Sequence, residues 1–240
     1  MSLEVLRHRS EVRRARVALK ARGVSLAHGW FVRTARRFAR RLGIRSAPGV
    51  GDVRKSWDIL RTTAFIEQHV GRHETVLDIG ARGSEMLPIL HRLGYQHLIG
   101  IDLAAAVLKM PSADRIDYRV GDFMRTGLGA RSCAAVTAIS VIEHGYDADG
   151  LFQEVSRLLR PGGYFIASFD YWPKKLSTDG TTLFGMSWRI FSADEVRQLI
   201  LDAGRWGLEP CGALNMDAKV PIVHFEGRDY TFAWLALRKP

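Results

Sequence analysis

One short stretch of the sequence constrains the fold more than any other. Residues 76–84 read VLDIGARGS, in which an apolar strand runs into a turn that carries Gly80 and Gly83. A second apolar segment, HLIGID, ends at Asp102, 24 residues after Asp78. Glycines let a backbone turn tightly and approach a ligand, and the helix that follows offers unpaired N–H groups to an anion. A carboxylate at the end of the second strand is placed to bind ribose hydroxyls, so the stretch predicts a nucleotide site.

The positive charge of the chain is concentrated at one end. Residues 1–45 contain 13 Lys and Arg and two acids, for a net charge of +11, whereas residues 46–240 carry a net charge of −1. We expect the basic segment to attract anionic lipid headgroups or a phosphate-bearing substrate, and the alternative is that it forms the solvated faces of two packed helices. Charge alone leaves RNA open as a partner, although the nearly neutral remainder is not typical of a nucleic-acid-binding surface.

Length, hydropathy and cysteine content narrow the class of protein. A chain of 240 residues with 47% hydrophobic residues is long enough for one domain with a sizeable core. No run approaches the roughly 18 apolar residues of a membrane span, and the N-terminus lacks the apolar part of a signal peptide. We therefore expect a cytoplasmic protein, peripheral at a membrane if the basic segment binds lipid. Because Cys133 and Cys211 are the only cysteines, a disulfide framework is excluded.

Helical spacing predicts two basic helices in the N-terminal segment, a linker over residues 45–53 and a helix over about 56–70. The apolar positions are Val5, Val12, Ala15 and Leu19 in the first helix, which ends at Gly23, and Phe31, Ala35, Phe38 and Leu42 in the second, which ends at Gly43. We divide the chain into a basic helical extension with its linker, residues 1–54, and a larger domain, residues 55–240.

From residue 74 onward, strand and helix patterns alternate. Strands are predicted near 75–79, 97–102, 116–120, 133–139, 163–169, 208–214 and 230–238, and helices near 84–94, 103–110, 148–160 and 192–206. Such alternation predicts a parallel sheet with helices on both faces. No helix separates the last two strands, and the EGRD sequence at 226–229 is typical of a turn. We therefore expect 208–214 and 230–238 to pair as an antiparallel hairpin.

Further motifs follow the predicted strands in order. The third strand ends in VGDF, where Asp122 is placed to accept from the exocyclic amine of adenine and Phe123 to flank the ring. The fourth strand is followed by SVIEH, in which Glu143 either caps the following backbone or lines the site. His144 is either a general base or a structural side chain packed beside the sheet. The LRPGG sequence at 159–163 ends a helix and enters the fifth strand.

This ordered set of motifs resembles the class I S-adenosylmethionine-dependent methyltransferases over roughly residues 55–240. The resemblance implies an α/β, Rossmann-like fold with a seven-stranded, mostly parallel sheet and an antiparallel last strand, here preceded by the basic helical extension. It also implies S-adenosylmethionine as cofactor, with S-adenosylhomocysteine as product. The residues that it assigns to the cofactor are Asp78, Gly80, Ala81, Arg82 and Gly83 in the turn, Asp102 and Leu103 at the ribose, Asp122 and Phe123 at adenine, and Ile139 and Ser140 near the sulfonium.

The glycine turn departs from the pattern of this family at one position. The family usually shows Gly-x-Gly-x-Gly after the acid, whereas Arg82 stands here where the second glycine is expected. Either the turn is reshaped, or the Arg82 side chain points away from the backbone or reaches the carboxylate of the methionine moiety.

The acceptor site is predicted from loops at the carboxyl ends of the strands, where open α/β sheets bind ligands. The candidate substrate-binding residues are Trp57, Tyr146, Tyr171 and Trp172. Aromatic side chains stack on sugar or ring faces, and the loop DYWPKK after the fifth strand supplies two of them. The alternatives are a lid packed on the N-terminal helices for this loop and a helix anchor for Trp57.

These observations predict a methyltransferase that acts on a hydroxyl of a small molecule or glycan, with His144 as the base and Glu143 beside it. No metal is assigned, although Glu143, His144 and Asp170 can meet in space. The alternative is an RNA methyltransferase that holds nucleic acid with the basic arm. The sequence lacks the Asn/Asp-Pro-Pro-aromatic tetrapeptide that is typical of amino-methylating relatives, which weighs against base N-methylation.

Two other classes fit the sequence less well. A nicotinamide-dependent dehydrogenase requires Gly-x-Gly-x-x-Gly, which residues 80–85 do not match. A catalytically inactive binding module is indicated only by Arg82 in the glycine turn.

Overall fold

The computed structural model describes residues 2–26 and 49–240. Within these ranges the strands β1–β11 are Leu3–Val5, Thr75–Ile79, His97–Asp102, Asp117–Val120, Cys133–Ile139, Leu159–Tyr171, Thr182–Leu183, Met186–Ser187, Glu209–Pro210, Val223–Phe225 and Arg228–Arg238. The helices α1–α5 are Arg9–Ala21, Ser56–His69, Met86–Arg92, Ala148–Leu158 and Ala193–Arg205. Two short 3₁₀ helices, Val53–Lys55 and Ala105–Lys109, join these elements. The predicted helix over 103–110 is thus a 3₁₀ turn.

The central sheet has the strand order β1-β11-β6-β5-β2-β3-β4. The strands β6, β5, β2, β3 and β4 are mutually parallel, and β11 pairs antiparallel with β6. The mostly parallel sheet with an antiparallel last strand, predicted from the sequence, is therefore confirmed. β11 also pairs antiparallel with β9 and β10, and β7 and β8 form a separate two-stranded hairpin.

Apolar side chains fill both faces of the sheet, as buried parallel strands require. On one face Leu19 of α1, Ile66 of α2 and Leu90 of α3 pack with sheet residues such as Trp234. On the other face Phe152 of α4 and Leu199 of α5 pack with a second set of sheet residues. The fold is therefore three layers, with the sheet between two groups of helices.

The N-terminal segment joins the sheet instead of beginning as a helix. Leu3 and Val5 are buried and pair with Leu235 and Ala233 of β11. The prediction that Val5 belongs to the first helix is wrong, because that helix begins at Arg9, where Glu11 accepts hydrogen bonds from two preceding backbone amides. The second predicted basic helix lies outside the described residues. The boundary between residues 54 and 55 stays a prediction.

The C-terminal hairpin differs from its prediction in one partner. The EGRD turn connects β10 to β11, so Val223–Phe225 is the hairpin partner of the last strand. Of the predicted strand 208–214, only Glu209–Pro210 pairs with β11, opposite Leu237 and Arg238. β1 pairs with Ala233, Trp234 and Leu235 and β10 with residues 228–230 of β11, so the 208–214 segment pairs with β11 only at the last residues of that strand.

A buried ion pair joins α1 to the segment that precedes α3. Arg16, on α1, donates two hydrogen bonds to Glu85 at 2.5 and 3.1 Å, and the two side chains are 7% and 1% exposed. The same guanidinium donates to Ser56 at the start of α2. Leu26 donates its backbone N–H to Glu85 as well. Arg16 therefore joins α1, α2 and the segment that precedes α3.

We expect Arg16→Met to lower the free energy of unfolding by about 3–5 kcal/mol, because it removes the buried guanidinium that donates to Glu85 and Ser56. Urea denaturation followed by circular dichroism measures this loss. Arg13→Met is the matched control, since Arg13 is exposed on the same helix, and it should change stability by less than about 0.5 kcal/mol. Equal effects of the two substitutions would contradict the structural role of the pair.

Candidate active site

The parallel register brings four chain segments to one edge of the sheet. β2 ends immediately before Gly80, β3 ends at Asp102, and β5 ends immediately before Ser140. Ile79 pairs with Ile101 on one side and Ala138 on the other, so these strand ends are level. Asp170 lies at the corresponding end of β6.

A cavity of about 590 Å³ opens along this edge. We call its end near β3 and β4 the glycine lobe, which is lined by Gly80, Arg82, Gly83, Asp102, Leu103 and Phe123. We call its end near β6 and β11 the lysine lobe, which is lined by Lys55, Glu143, His144, Asp170, Tyr230 and Phe232. Ile139 and Ser140, after the central strand β5, also line the cavity. The strand order therefore places Ser140 between the two lobes.

The glycine turn needs a left-handed backbone at two positions, Gly80 with φ +67° and Gly83 with φ +80°. A Cβ on Gly80 would lie 2.4 Å from Cγ2 of Val141, so only glycine fits there. Arg82 has an exposed side chain and no left-handed backbone, which explains how arginine replaces the glycine of the family pattern. Its backbone N–H donates to Asp102 at 3.0 Å.

Asp102 is held by two backbone donors. One carboxylate oxygen accepts from Arg82 and the other accepts from Ala104 at 2.8 Å. Each oxygen has a further lone pair, and the residue lines the cavity, so the carboxylate can accept from a bound ligand as well.

Asp122 lies on the adjacent strand end but does not line the cavity. Its exposed carboxylate accepts from the Met124 backbone N–H at 2.9 Å and so caps the turn. The neighbouring Phe123 reaches the cavity wall. Of the pair predicted to hold adenine, only the phenyl ring is therefore brought to the cavity.

Asp78 and Ala81 are buried behind the glycine turn. Asp78 is 1% exposed and accepts a hydrogen bond of 2.6 Å from Thr137, and its other oxygen has no partner among the described residues. Burial raises the pKa of Asp78 to about 7, against the hydrogen bond from Thr137. Ala81 donates its backbone N–H to Ile101. Both residues support the turn without lining the cavity.

The lysine lobe contains Glu143, which the sequence predicted for the site, and further ionisable groups that it did not. Glu143 is 1% exposed, and burial together with Asp170 raises its pKa to about 8, which Lys55 opposes. The Asp170 carboxylate accepts from Nε1 of Trp188 at 2.9 Å, and burial raises its pKa also. Asp170 was considered only as a metal ligand, and Lys55 and Tyr230 were missed.

His144 lines the same lobe, but its basicity is weak. Burial and, to a smaller extent, the charge of Lys55 together lower the pKa of His144 to about 4. Its ring lies 5.2 Å from that of Phe184, at the tip of the β7–β8 hairpin, and its Nδ1 has no partner among the described residues. His144 is therefore neutral near pH 7, and its conjugate acid is too strong for ready proton abstraction from a hydroxyl.

The four predicted substrate-binding aromatics do not line this cavity. Trp57 is 5% exposed and packs in the core, and Tyr146 packs edge-on against Phe191. Tyr171 is fully buried and donates to the Met216 carbonyl, and Trp172 packs against the core behind the strand end. Tyr171 does not reach the cavity because β6 continues to this residue and the alternation of the strand turns its side chain into the core. Phe232 and Phe225, from β11 and β10, line the cavity instead.

Alternation along the last strand was the signal that sequence reasoning overlooked. Tyr230 and Phe232 are two residues apart in a strand, so they face the same side, and both line the cavity. Glu143, His144 and Asp170 also line it, but the described residues contain no group of three His, Cys, Asp or Glu side chains arranged to hold a metal.

Comparison with known proteins identifies the class. Residues 77–167 match the family model described as methyltransferase domain. A geranyl diphosphate C-methyltransferase of Streptomyces coelicolor superposes with a TM-score of 0.56 at 17% identity, over 82% of this chain and 91% of that chain. An S-adenosylmethionine-dependent methyltransferase of Mesorhizobium loti superposes with a TM-score of 0.52 at 16% identity, over 77% and 97%. These two likenesses concern the fold.

Residues 77–167 thus resemble a methyltransferase domain, and the fold is that of known S-adenosylmethionine-dependent methyltransferases. It is 32% identical over 123 residues to a ubiquinone biosynthesis O-methyltransferase of Leptothrix cholodnii, a match that covers 46% of this chain and 51% of the relative. A protein of the same name in Xanthomonas oryzae is 34% identical over 102 residues, covering 39% and 41%. The chain thus spans about half the length of the curated relatives that it matches.

We expect Gly80→Ala to destabilise the fold by about 1–3 kcal/mol more than Gly127→Ala, because the new methyl group meets Val141. Gly127 is the matched control, since its φ of +71° is similar and a Cβ there has nothing within 4 Å. The control should cost about 1–2 kcal/mol for the left-handed backbone alone. Urea denaturation measures both losses, and equal losses would refute a close packed turn at Gly80.

Proposed function

We propose that this chain is an S-adenosylmethionine-dependent methyltransferase that methylates a hydroxyl of a small molecule. The observation that carries the proposal is the continuity of the cavity, which joins Asp102 and Phe123 at one end to Glu143 and Lys55 at the other. A nucleoside fits the first end and a polar acceptor fits the second. The names of the curated relatives, which are O-methyltransferases, support an oxygen acceptor.

The residues of the glycine lobe fit the cofactor. The absence of a side chain at Gly80 leaves backbone close to the cavity, and a Cβ there would clash with Val141. Asp102 would bind the ribose hydroxyls and Phe123 would flank the base. Ser140, whose φ of +55° is unusual for a residue other than glycine, places a buried hydroxyl without a partner among the described residues between the lobes. Strained backbone of this kind is concentrated at functional sites.

When bound, S-adenosylmethionine supplies a methyl group on a positively charged sulfur, which is a good leaving group. The chain then has to orient the acceptor, exclude water and remove the hydroxyl proton. We assign proton removal to Glu143. Its pKa of about 8 is closer to the pKa of a hydroxyl than that of an ordinary carboxylate is, so it is the stronger base. His144, the base expected from the sequence, would orient the acceptor instead, since its pKa of about 4 makes it a weak base.

The walls of the lysine lobe favour an acceptor with a flat apolar body. Phe225, Phe232, Leu183 and Met186 line the same cavity as the carboxyl groups. A glycan, the other acceptor class expected from the sequence, would also stack on aromatic rings, but it would leave the aliphatic wall without a matching surface.

Residues 1–45 would bring the cavity to an anionic membrane surface, because their net charge of +11 attracts anionic headgroups. Leu26 donates to Glu85, and Gly51 donates to the Gly83 carbonyl, so both residues lie beside the glycine turn. No helix in the described part of the chain is long and apolar enough to cross a membrane. RNA methylation, the alternative function, rests on the charge of the basic segment alone.

We expect calorimetric titration to show binding of S-adenosylmethionine and S-adenosylhomocysteine to the whole chain. Asp102→Ala should weaken this binding about 10–100-fold, since hydrogen bonds to a charged group contribute about 1.5–3 kcal/mol. Asp114→Asn is the control, because that exposed carboxylate lies outside the cavity, and it should bind as the unmodified chain does. A wild-type chain that binds neither compound would overturn the proposed function.

We expect kcat/KM for a hydroxyl acceptor to rise as the pH increases through about 8, because Glu143 has to lose its proton before it can accept one. The neighbouring titratable groups are Asp170, Lys55 and Tyr230, and the observed midpoint belongs to Glu143 and Asp170 together. Glu143→Gln should lower kcat about 100-fold or more and abolish this rise.

His144→Ala and Glu209→Gln are the comparisons for Glu143→Gln. Glu209 is exposed at the edge strand β9, so its substitution should leave the pH profile unchanged. A Glu143→Gln enzyme with the wild-type profile, together with loss of the rise in His144→Ala, would return the base role to the histidine.

A further inference from the structure

Three buried polar atoms of the lysine lobe have no hydrogen-bond partner among the described residues. They are Nζ of Lys55, Oε2 of Glu143 and Nδ1 of His144, and all three residues line the cavity. Buried polar groups in proteins are nearly always hydrogen-bonded, so unfilled donors and acceptors that face one cavity indicate a polar ligand. The cationic donor among them is the ammonium group of Lys55.

The ammonium group of Lys55 is held in place without being satisfied. Its Nζ lies 3.7 Å from the Asp58 carboxylate and 3.8 Å from that of Asp170, both beyond hydrogen-bond distance. It also lies 3.2 Å from the ring centroid of Phe232, which attracts a cation through its face. The two carboxylates are themselves fixed, because Asp58 accepts from Ser168 at 2.9 Å and Asp170 accepts from Trp188 at 2.9 Å.

The other cations of the cavity wall are differently placed. Arg54 donates to Asp52 through two nitrogens, and its side chain is 58% exposed. Arg82 lies in the glycine lobe and is exposed. The Lys55 side chain, by contrast, is 17% exposed and lies beside the carboxyl that we assign as the base. A positive charge acts more strongly on a ligand where water is excluded.

We propose that Lys55 binds the acceptor oxygen and stabilises it in its ionised form. This inference rests on the proposed function and identifies the group that the acceptor hydroxyl meets. The O–H bond of the acceptor breaks, its electron pair stays on oxygen beside the ammonium group, and the proton goes to the Glu143 carboxylate. The product of this step is a neutral carboxyl group, which suits the buried position of Glu143.

The proposal also predicts selectivity. The positive charge of Lys55 stabilises an acceptor oxygen that has ionised. An ether or a hydrocarbon at the same position leaves the ammonium group without a hydrogen-bond acceptor. Acceptors with acidic hydroxyl groups should therefore bind more tightly than their methyl ethers, which are the products. Product release would be favoured for the same reason.

The test uses 4-nitrophenol, whose ionised form absorbs visible light, and 4-nitroanisole, which is its methyl ether and has no ionisable proton. With the whole chain saturated in S-adenosylhomocysteine, we expect the pKa of bound 4-nitrophenol to lie at least about one unit below its value in water. Lys55→Met should remove most of this shift, and Lys55→Arg should retain most of it. Arg54→Met is the matched control, since it removes the adjacent cation, and it should change the shift far less.

Circular dichroism establishes whether each variant is folded. If Lys55→Met does not fold, the wild-type protein still decides the question: a bound 4-nitrophenol with an unchanged or raised pKa overturns the proposal. Equal loss of the shift in Arg54→Met and Lys55→Met also overturns it, because a general positive potential would then be the cause. If the chain binds S-adenosylmethionine but the pKa of bound 4-nitrophenol is not shifted, only the role of Lys55 is overturned. If that pKa is shifted but the chain binds no cofactor, only the proposed function is overturned.

Discussion

The structure depends on the parallel pairing of β2 with β3 on one side and with β5 on the other. Because these strands run in the same direction and end level, the segments that follow them meet at one edge of the sheet. Gly80, Asp102 and Ser140 are neighbours there although they are far apart in sequence. A slip of one residue in this pairing would exchange the buried and outward faces of a whole strand and remove the site.

The same edge accumulates groups that are costly to bury. Asp58, Asp78 and Glu143 are 1% exposed or less, and burial raises the pKa of each, to about 6, about 7 and about 8. Each group is neutral in the fold at low pH, so its contribution to stability is full below its ordinary pKa and is lost as the pH rises through the raised value. Three such carboxyls in one region indicate that stability is given up there for ligand binding, as is typical of functional sites.

The sequence predicted the parts of the site that depend on local order along the chain. The strands of the sheet, the glycine turn and Asp102 follow from hydrophobic runs and the residues that end them. The structure places Phe123, Ser140, Glu143 and His144 at the cavity, and their roles stay predictions. The parts that depend on tertiary packing were missed. Val5 was predicted as helix because it shares helical spacing with Val12, Ala15 and Leu19, and it becomes a strand residue only through its pairing with β11.

The acceptor end shows the same limit. Tyr171 and Trp172 were chosen because they follow a strand, but a two-residue extension of β6 turns Tyr171 into the core. Lys55 precedes a helix in a stretch with no motif, and only the fold brings it to Asp170. A charge pair of this kind leaves no signal in a single sequence, because its partners are separated by more than a hundred residues.

A crystal structure of the whole chain with S-adenosylhomocysteine tests the central claim, that one cavity joins a nucleoside end to an acceptor end. The account predicts ribose hydroxyls at the Asp102 carboxylate, a base beside Phe123 and a sulfur atom near Ser140 that faces the lobe of Lys55 and Glu143. An adenosyl group bound elsewhere, or a sulfur atom that faces away from Glu143, would contradict it.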